Sequence, residues 1–209
     1  MFRNAITLII LFACSYLPAQ NFGGVINFKK QVGKDSTNYD YYVKGDKVRF
    51  DEYTPGTKTL SSCFILDIKA NTMIFIDPDR KCWGKRVRGE MAVGAAGCVA
   101  ATSAEMKEMF GYKCSEQIIK NIADSTEISY FIAPGKFSFF MPMLRQINSM
   151  EKLSTYLFSA NMPEGSMPML AIEKDLRGNE RERLEVTSIE EKVVPDSKFL
   201  VPKGYKEIK

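Results

Sequence analysis

Hydrophobic and polar positions alternate with period two along much of the chain, which predicts strands. VINFK alternates after Phe22, and YDYYVKGDKVRF reads as two strands meeting at Gly45-Asp46, a glycine-first pair suited to a type II′ hairpin turn. CFILDIK and TMIFID form a second hairpin with its turn at Ala70-Asn71, where asparagine tolerates positive φ. Pro78 stops that strand and RKCWGKRV supplies the next. YKCSEQIIK and STEISYFIA alternate about a polar break at Asn121 to Asp124, and MLAIEKDL and RERLEVTSIEEKVV flank a turn at Arg177-Gly178-Asn179. In that last ribbon Leu184 and Val186 share one face with charges between them, so one side is wet. Ile189 breaks the alternation and predicts a bulge near Ser188.

Two stretches depart from period two. Thr102-Ser103-Ala104-Glu105 has capping-box spacing, so SAEMKEMF reads as a short helix with Gly111 at its C-terminal cap. Behind Pro142, a residue suited to the first helical position, Met143, Leu144, Ile147, Met150, Leu153 and Leu157 recur at steps of three and four. This predicts one amphipathic helix over 142–158, ended by Asn161 and Pro163 and roughly 24 Å long at ~1.5 Å per residue. The expected class is mainly β with helical inserts (α+β). No long linker or repeat divides it, so residues 21–209 read as a single domain.

The N-terminus adds a destination. MFRN, AITLIILFA and CSYLPAQ form the charged, apolar and small-residue regions of a signal peptide over 1–20, too short for the roughly 20 apolar residues of a membrane span. Two processing routes compete. Cleavage near Ala19 or Gln20 gives a periplasmic or secreted protein, whereas a loose lipobox at Leu11-Phe12-Ala13-Cys14 gives an outer-membrane lipoprotein anchored through Cys14. The remaining cysteines, Cys63, Cys82, Cys98 and Cys114, are an even set that predicts disulfides in an exported chain. Sequential pairing, Cys63–Cys82 and Cys98–Cys114, is the first of three connectivities. Zinc is disfavoured, since no pair has CxxC spacing and histidine is absent.

Charge and chemistry narrow the function further. The net charge of +4 is spread along the chain, with no basic stripe for nucleic acid. Without histidine, the His-based triads, Cys-His dyads and HExxH zinc sites are excluded. Asp77 and Asp79 in IDPDR read as a turn rather than a glycosidase pair. Gly94-Ala95-Ala96-Gly97 lacks the Lys and Ser/Thr of a phosphate loop, so no cofactor is implied. Methionine is the anomaly: six of eleven fall between Met141 and Met169. Methionine fills irregular gaps and suits surfaces that meet variable apolar partners. Either this stripe packs a core, or Phe137, Phe139, Phe140, Met141, Met143, Leu144, Ile147 and Met150 line or cover a lipid-sized cavity. Tyr39, Tyr41, Tyr42 and Trp83 are candidates to face it from the sheet.

Taken together, YYVKGDKVRF, ILDIKANTMIFID, GYKC and VPDSKFLVPKGYKEI resemble an uncharacterised family of exported proteins of Gram-negative bacteria. That family has a fold similar to LolA, the periplasmic carrier of outer-membrane lipoproteins. The resemblance implies an incomplete, curved antiparallel β-barrel whose open apolar side is covered by one or two helices and takes acyl chains. The expected function is non-enzymatic binding of a lipid, an acyl chain or a lipidated protein. The alternative is a secreted or surface interaction module with a self-filled core, meeting an envelope protein partner through the ribbon Glu173 to Lys192.

Overall fold

The computed structural model describes residues 21–86, 94–147 and 151–208. The expected leader with Cys14, and also Met150, lie outside them. The strands are β1 (Gly24–Val32), β2 (Asp35–Lys44), β3 (Lys47–Tyr53), β4 (Leu60–Asp67), β5 (Thr72–Asp77) and β6 (Cys82–Arg86), then β7 (Val99–Met109), β8 (Tyr112–Asn121), β9 (Thr126–Ala133), β10 (Met167–Asp175), β11 (Glu180–Glu191) and β12 (Lys206–Glu207). They form one 12-stranded sheet in the order β12-β6-β5-β4-β3-β2-β1-β11-β10-β9-β8-β7. Every pairing is antiparallel except that of β12 with β6. Two meanders thus meet at the β1–β11 seam. The sheet is open, mainly β, and does not close into a barrel.

Turn chemistry sets the registers. Gly45 takes φ 57° in the two-residue loop between Lys44 and Lys47, and Asn71 takes φ 52° at the end of the β4–β5 turn. On β11 the pairing steps from Asn27–Ser188 to Phe28–Val186, which leaves Thr187 as the bulge beside Ser188.

Two elements differ from the sequence pattern. SAEMKEMF is not a helix: Ser103 to Met109 belong to β7 and Phe110 to the turn that follows. Phe110 and Gly111 both have positive φ, 52° and 78°, and form a two-residue hairpin loop that folds β7 back on β8. Pairing along β8 outweighs the helical propensity of Ala, Glu, Met and Lys. The capping-box residues serve a bulge instead: Ser103 Oγ accepts the Glu105 amide at 3.0 Å while the β7–β8 register slips between Thr102 and Met106. The single helix over 142–158 is in fact two, α1 (Phe140–Ile147) and α2 (Lys152–Leu157), with Glu151 extended between them at φ −65°, ψ 143°. Pro142 is the third residue of α1, still in the first turn, where its missing N–H costs no helical bond.

Curvature explains the break. Side chains from eight of the nine strands between β6 and β9 in the sheet order, all but β5, line one hollow. Laid flat at ~4.8 Å per strand, those nine strands would span about 38 Å. The sheet therefore curls around its inner face, and two short helices follow that curve where a straight rod would overrun it. The main core lies between this inner face and the helices; Ile26, Val43, Val48, Leu66, Ile128, Met143 and Met167 are wholly inaccessible in it. A second core sits on the outer face, built from Val25, Cys63, Ile65 and Ile76 and covered by Val194 and Phe199. The chain after β11 reaches it through a short 3-10 turn, Asp196–Phe199, and ends as β12 beside β6.

All four described cysteines are free thiols. Sequential pairing is geometrically excluded. Cys63 and Cys82 lie on β4 and β6 with β5 between them, beyond the ~7 Å Cα limit of a bridge. Cys98 precedes Val99, which pairs with Lys120, whereas Cys114 sits six residues away opposite Lys107, roughly 20 Å along the strand.

The seam offers a direct test of this architecture. A Cβ on Gly24 would stand 2.0 Å from the Glu190 carbonyl oxygen on β11. Gly24→Ala is expected to destabilise the fold by about 2–4 kcal/mol in urea denaturation, with the cost lying in the β1–β11 pairing.

Candidate functional site: a helix-covered hollow

The alternation of β1 to β5 puts a run of contacting aromatics on the inner face, with Tyr41, Phe50, Phe64 and Phe75 in register and Phe28 one row away, opposite Tyr39. Ring centroids run Phe28–Tyr41 at 4.5 Å, Tyr41–Phe50 at 5.0 Å, Phe50–Phe64 at 6.0 Å and Phe64–Phe75 at 5.5 Å. Tyr39 stacks on Phe50 at 5.4 Å. Such pairs add roughly 0.5–1.5 kcal/mol each beyond the area they bury. Across the seam Tyr130, Pro168, Ala171 and Leu184 continue the wall, while Phe140, Leu144, Ile147, Leu153 and Leu157 form the roof. They enclose a cavity of about 370 Å³. That is near the lower end of the roughly 300–1,000 Å³ typical of small-molecule pockets.

A few polar contacts hold the roof to both wings of the sheet. Gln146 Nε2 donates to the Thr72 carbonyl at 2.8 Å, and the Tyr130 hydroxyl donates to the Leu153 carbonyl at 3.0 Å. The Tyr156 hydroxyl donates to Asp124, and Lys152 reaches Thr126 Oγ1 at 3.1 Å. At one end Lys30 Nζ lies 2.9 Å from Glu151 and 3.1 Å from Glu182. Burial opposes the charge on Lys30, but its hydrogen bond and attraction to Glu151, with help from Glu182, outweigh burial and raise its pKa. Burial, then the nearby Glu52 carboxylate, pushes Tyr39 up to about 12, and burial likewise raises Tyr41 and Tyr130. These phenols are neutral donors at ordinary pH.

The sequence candidates divide. Phe140, Leu144 and Ile147 line the hollow. Phe137 and Phe139 pack on Phe22 at 5.7 and 6.2 Å, Met143 is buried in the core, and Met141 is half-buried against it. Tyr39 and Tyr41 face the cavity, whereas Tyr42 and Trp83 point to the outer core. The ribbon proposed as a contact face lies in mid-sheet, flanked by β9 and β1, and its Glu173 is buried. Asp77 forms the turn expected of it, its Oδ1 accepting the Arg80 amide at 2.9 Å. Gly94 packs closely, with its Cβ position 2.6 Å from Ser159 Oγ. Sequence reasoning missed Phe28, Phe50, Phe64, Lys30, Glu52 and Glu182. Their signal becomes visible only when the hairpin registers are written side by side, because the residues that meet in the hollow come from different strands.

Fold and hollow together define a class: an open antiparallel sheet curled about an apolar pocket with a two-helix roof. The chain belongs to the DUF4412 family, a domain of unknown function, whose model matches residues 22–205. Among solved structures it is similar to an uncharacterized conserved protein from Thermus thermophilus, with TM-score 0.52 and 7% identity over 89% of this chain and 90% of that one. This likeness concerns the fold. Weaker likenesses, TM-score 0.45 in both cases, are to PNGF-II in its C2 and P21 crystal forms, at 10% and 11% identity. They cover 88% of this chain but 30% and 31% of those chains. No curated protein matches the sequence. Among the described residues no helix is long and apolar enough to cross a membrane.

Lys30 makes the roof contact pH-sensitive in a defined sense. Its folded pKa is raised above the ordinary 10.5, so its contribution to stability is complete below that value and is lost as pH rises through the folded one. Melting curves from about pH 8 to 11.5 are expected to fall more steeply for the wild type than for Lys30→Met, which keeps the apolar stem without the charge. Parallel curves would show that the ion pairs do not hold the roof.

Proposed function

We propose that the protein is a non-enzymatic, exported binder that takes one acyl chain, from a lipid or a lipidated protein, into the hollow. The observation that carries this reading is the cavity itself. It is walled mainly by aromatic and aliphatic side chains and left unfilled by the described residues. Burial of apolar surface supplies the driving force. At ~0.8 kcal/mol per methylene, a ten-carbon chain contributes roughly 8 kcal/mol before the cost of association. In this reading the molecule is a half-barrel of the LolA-like kind and the two helices are its movable cover. Their short length and few polar anchors support such movement. The signal-peptide pattern supports a place in the periplasm or at the outer membrane. The alternative of a self-filled interaction module fits an unfilled hollow less well.

The test is occupancy. Protein purified from its native envelope without detergent is expected to yield about one equivalent of chain-bearing lipid on organic extraction. Leu144→Trp, which puts a larger side chain into the hollow, is expected to weaken binding of a fluorescent fatty-acyl probe at least about tenfold with a smaller effect on stability. Protein that carries no lipid and does not bind the probe would contradict the reading.

A further inference from the structure

The hollow is chemically unequal along its length. Its middle row is aromatic: Tyr41, Phe50 and Phe64, aligned across β2 to β4. One row toward the β1–β2 turn, Phe28, Tyr39 and Glu52 align, and beyond them lie Lys30 and Glu182. In the opposite direction the row Val43, Val48, Leu66 and Met73 ends in Arg86, whose side chain is exposed. Arg86 is three strands and two rows from Glu52, roughly 19 Å along the sheet.

Among the described residues, Glu52, Glu151 and Glu182 therefore share one end of the hollow with Lys30. Lys30 is already engaged, at 2.9 Å to Glu151 and 3.1 Å to Glu182. Glu182 Oε1 is buried and lacks a directed hydrogen bond even so. Glu52 makes no ion pair among the described residues; its Oε2 accepts from Ser62 Oγ at 2.9 Å. Beside it Tyr39 is stacked on Phe50, and Tyr41 meets Phe50 edge-on at 5.0 Å. No three acidic or cysteine side chains among the described residues converge to hold a metal ion. An organic cation fits this end instead. Aromatic faces attract it through their quadrupoles, and an uncompensated carboxylate beside them adds direct charge attraction. An anionic headgroup would meet the Glu52 carboxylate and would have to strip Lys30 of its partners.

We propose that this end is a subsite for a cationic headgroup, an amine or quaternary ammonium, on an amphiphile whose chain fills the rest of the hollow. The proposal rests on the acyl-chain reading and adds the headgroup class to it. Isothermal titration of the purified chain at pH 7 and low salt, with probes kept below their micelle concentrations, compares dodecyltrimethylammonium, dodecanol and dodecanoate. The ammonium probe is expected to bind about tenfold tighter than the alcohol, with the carboxylate weakest. Glu52→Gln is expected to shrink the ratio of ammonium to alcohol affinity to within about twofold, and Phe50→Leu to reduce the same ratio. Equal binding of the three probes, a preference for dodecanoate, or a preference that survives Glu52→Gln would overturn the subsite while leaving the acyl-chain reading intact. Failure of every probe to bind would sink both.

Discussion

Five aromatic side chains drawn from five successive strands, Phe28, Tyr41, Phe50, Phe64 and Phe75, stand in contact across the inner face of the sheet. That face cannot be left to water, and the cover available to it is small. Helices α1 and α2 together hold 14 residues, 8 and 6, and each is about 10–12 Å across with its side chains. A flat sheet of this width would leave much of the row exposed. Curling resolves the mismatch, because it brings both wings within reach of one short roof. The same curl leaves a hollow, since the rings line the wall without meeting the helices everywhere.

The outer face solves its own version of the problem. Curling outward exposes Val25, Cys63, Ile65 and Ile76, and the C-terminal segment lies across them. Arg49 fastens that strap: its Nη1 donates to the Lys198 carbonyl at 3.0 Å while its Nε holds Asp51 at 2.7 Å. Lys198 in turn sits 4.2 Å over the Tyr42 ring. Burial pushes the Cys63 thiol up, as expected of a packing residue rather than a reactive one. Each face of the single sheet thus has a separate cover, a helical one inside and an extended one outside. This division puts the roof and the strap on separate cores.

Much of the fold was legible because period-two alternation and turn residues are local signals. The Gly45 hairpin, the Asn71 turn, the Thr187 bulge and the limits of most strands follow from them. What failed were the places where a local signal lost to a distant partner. SAEMKEMF has helix-forming residues but pairs with β8 through the Phe110-Gly111 loop, and the stripe behind Pro142 keeps its period while the backbone breaks at Glu151. The site was half legible for the same reason. A helical stripe announces Leu144 and Ile147, whereas Phe28, Phe50 and Glu52 become neighbours only through strand register. The cysteine pairing failed because an even count carries no information about which face or row each thiol occupies.

The central claim is that the space between the aromatic row and the roof admits an apolar chain. Methyl-resolved NMR during addition of a dodecyl-chain ligand tests it most directly, because the two cores carry separate methyl groups. Shifts are expected at Leu144, Ile147, Leu153, Leu157 and Leu184, with Val25, Ile76 and Val194 of the outer core unmoved. Shifts centred on the outer core, or none at the inner residues under saturating ligand, would contradict it.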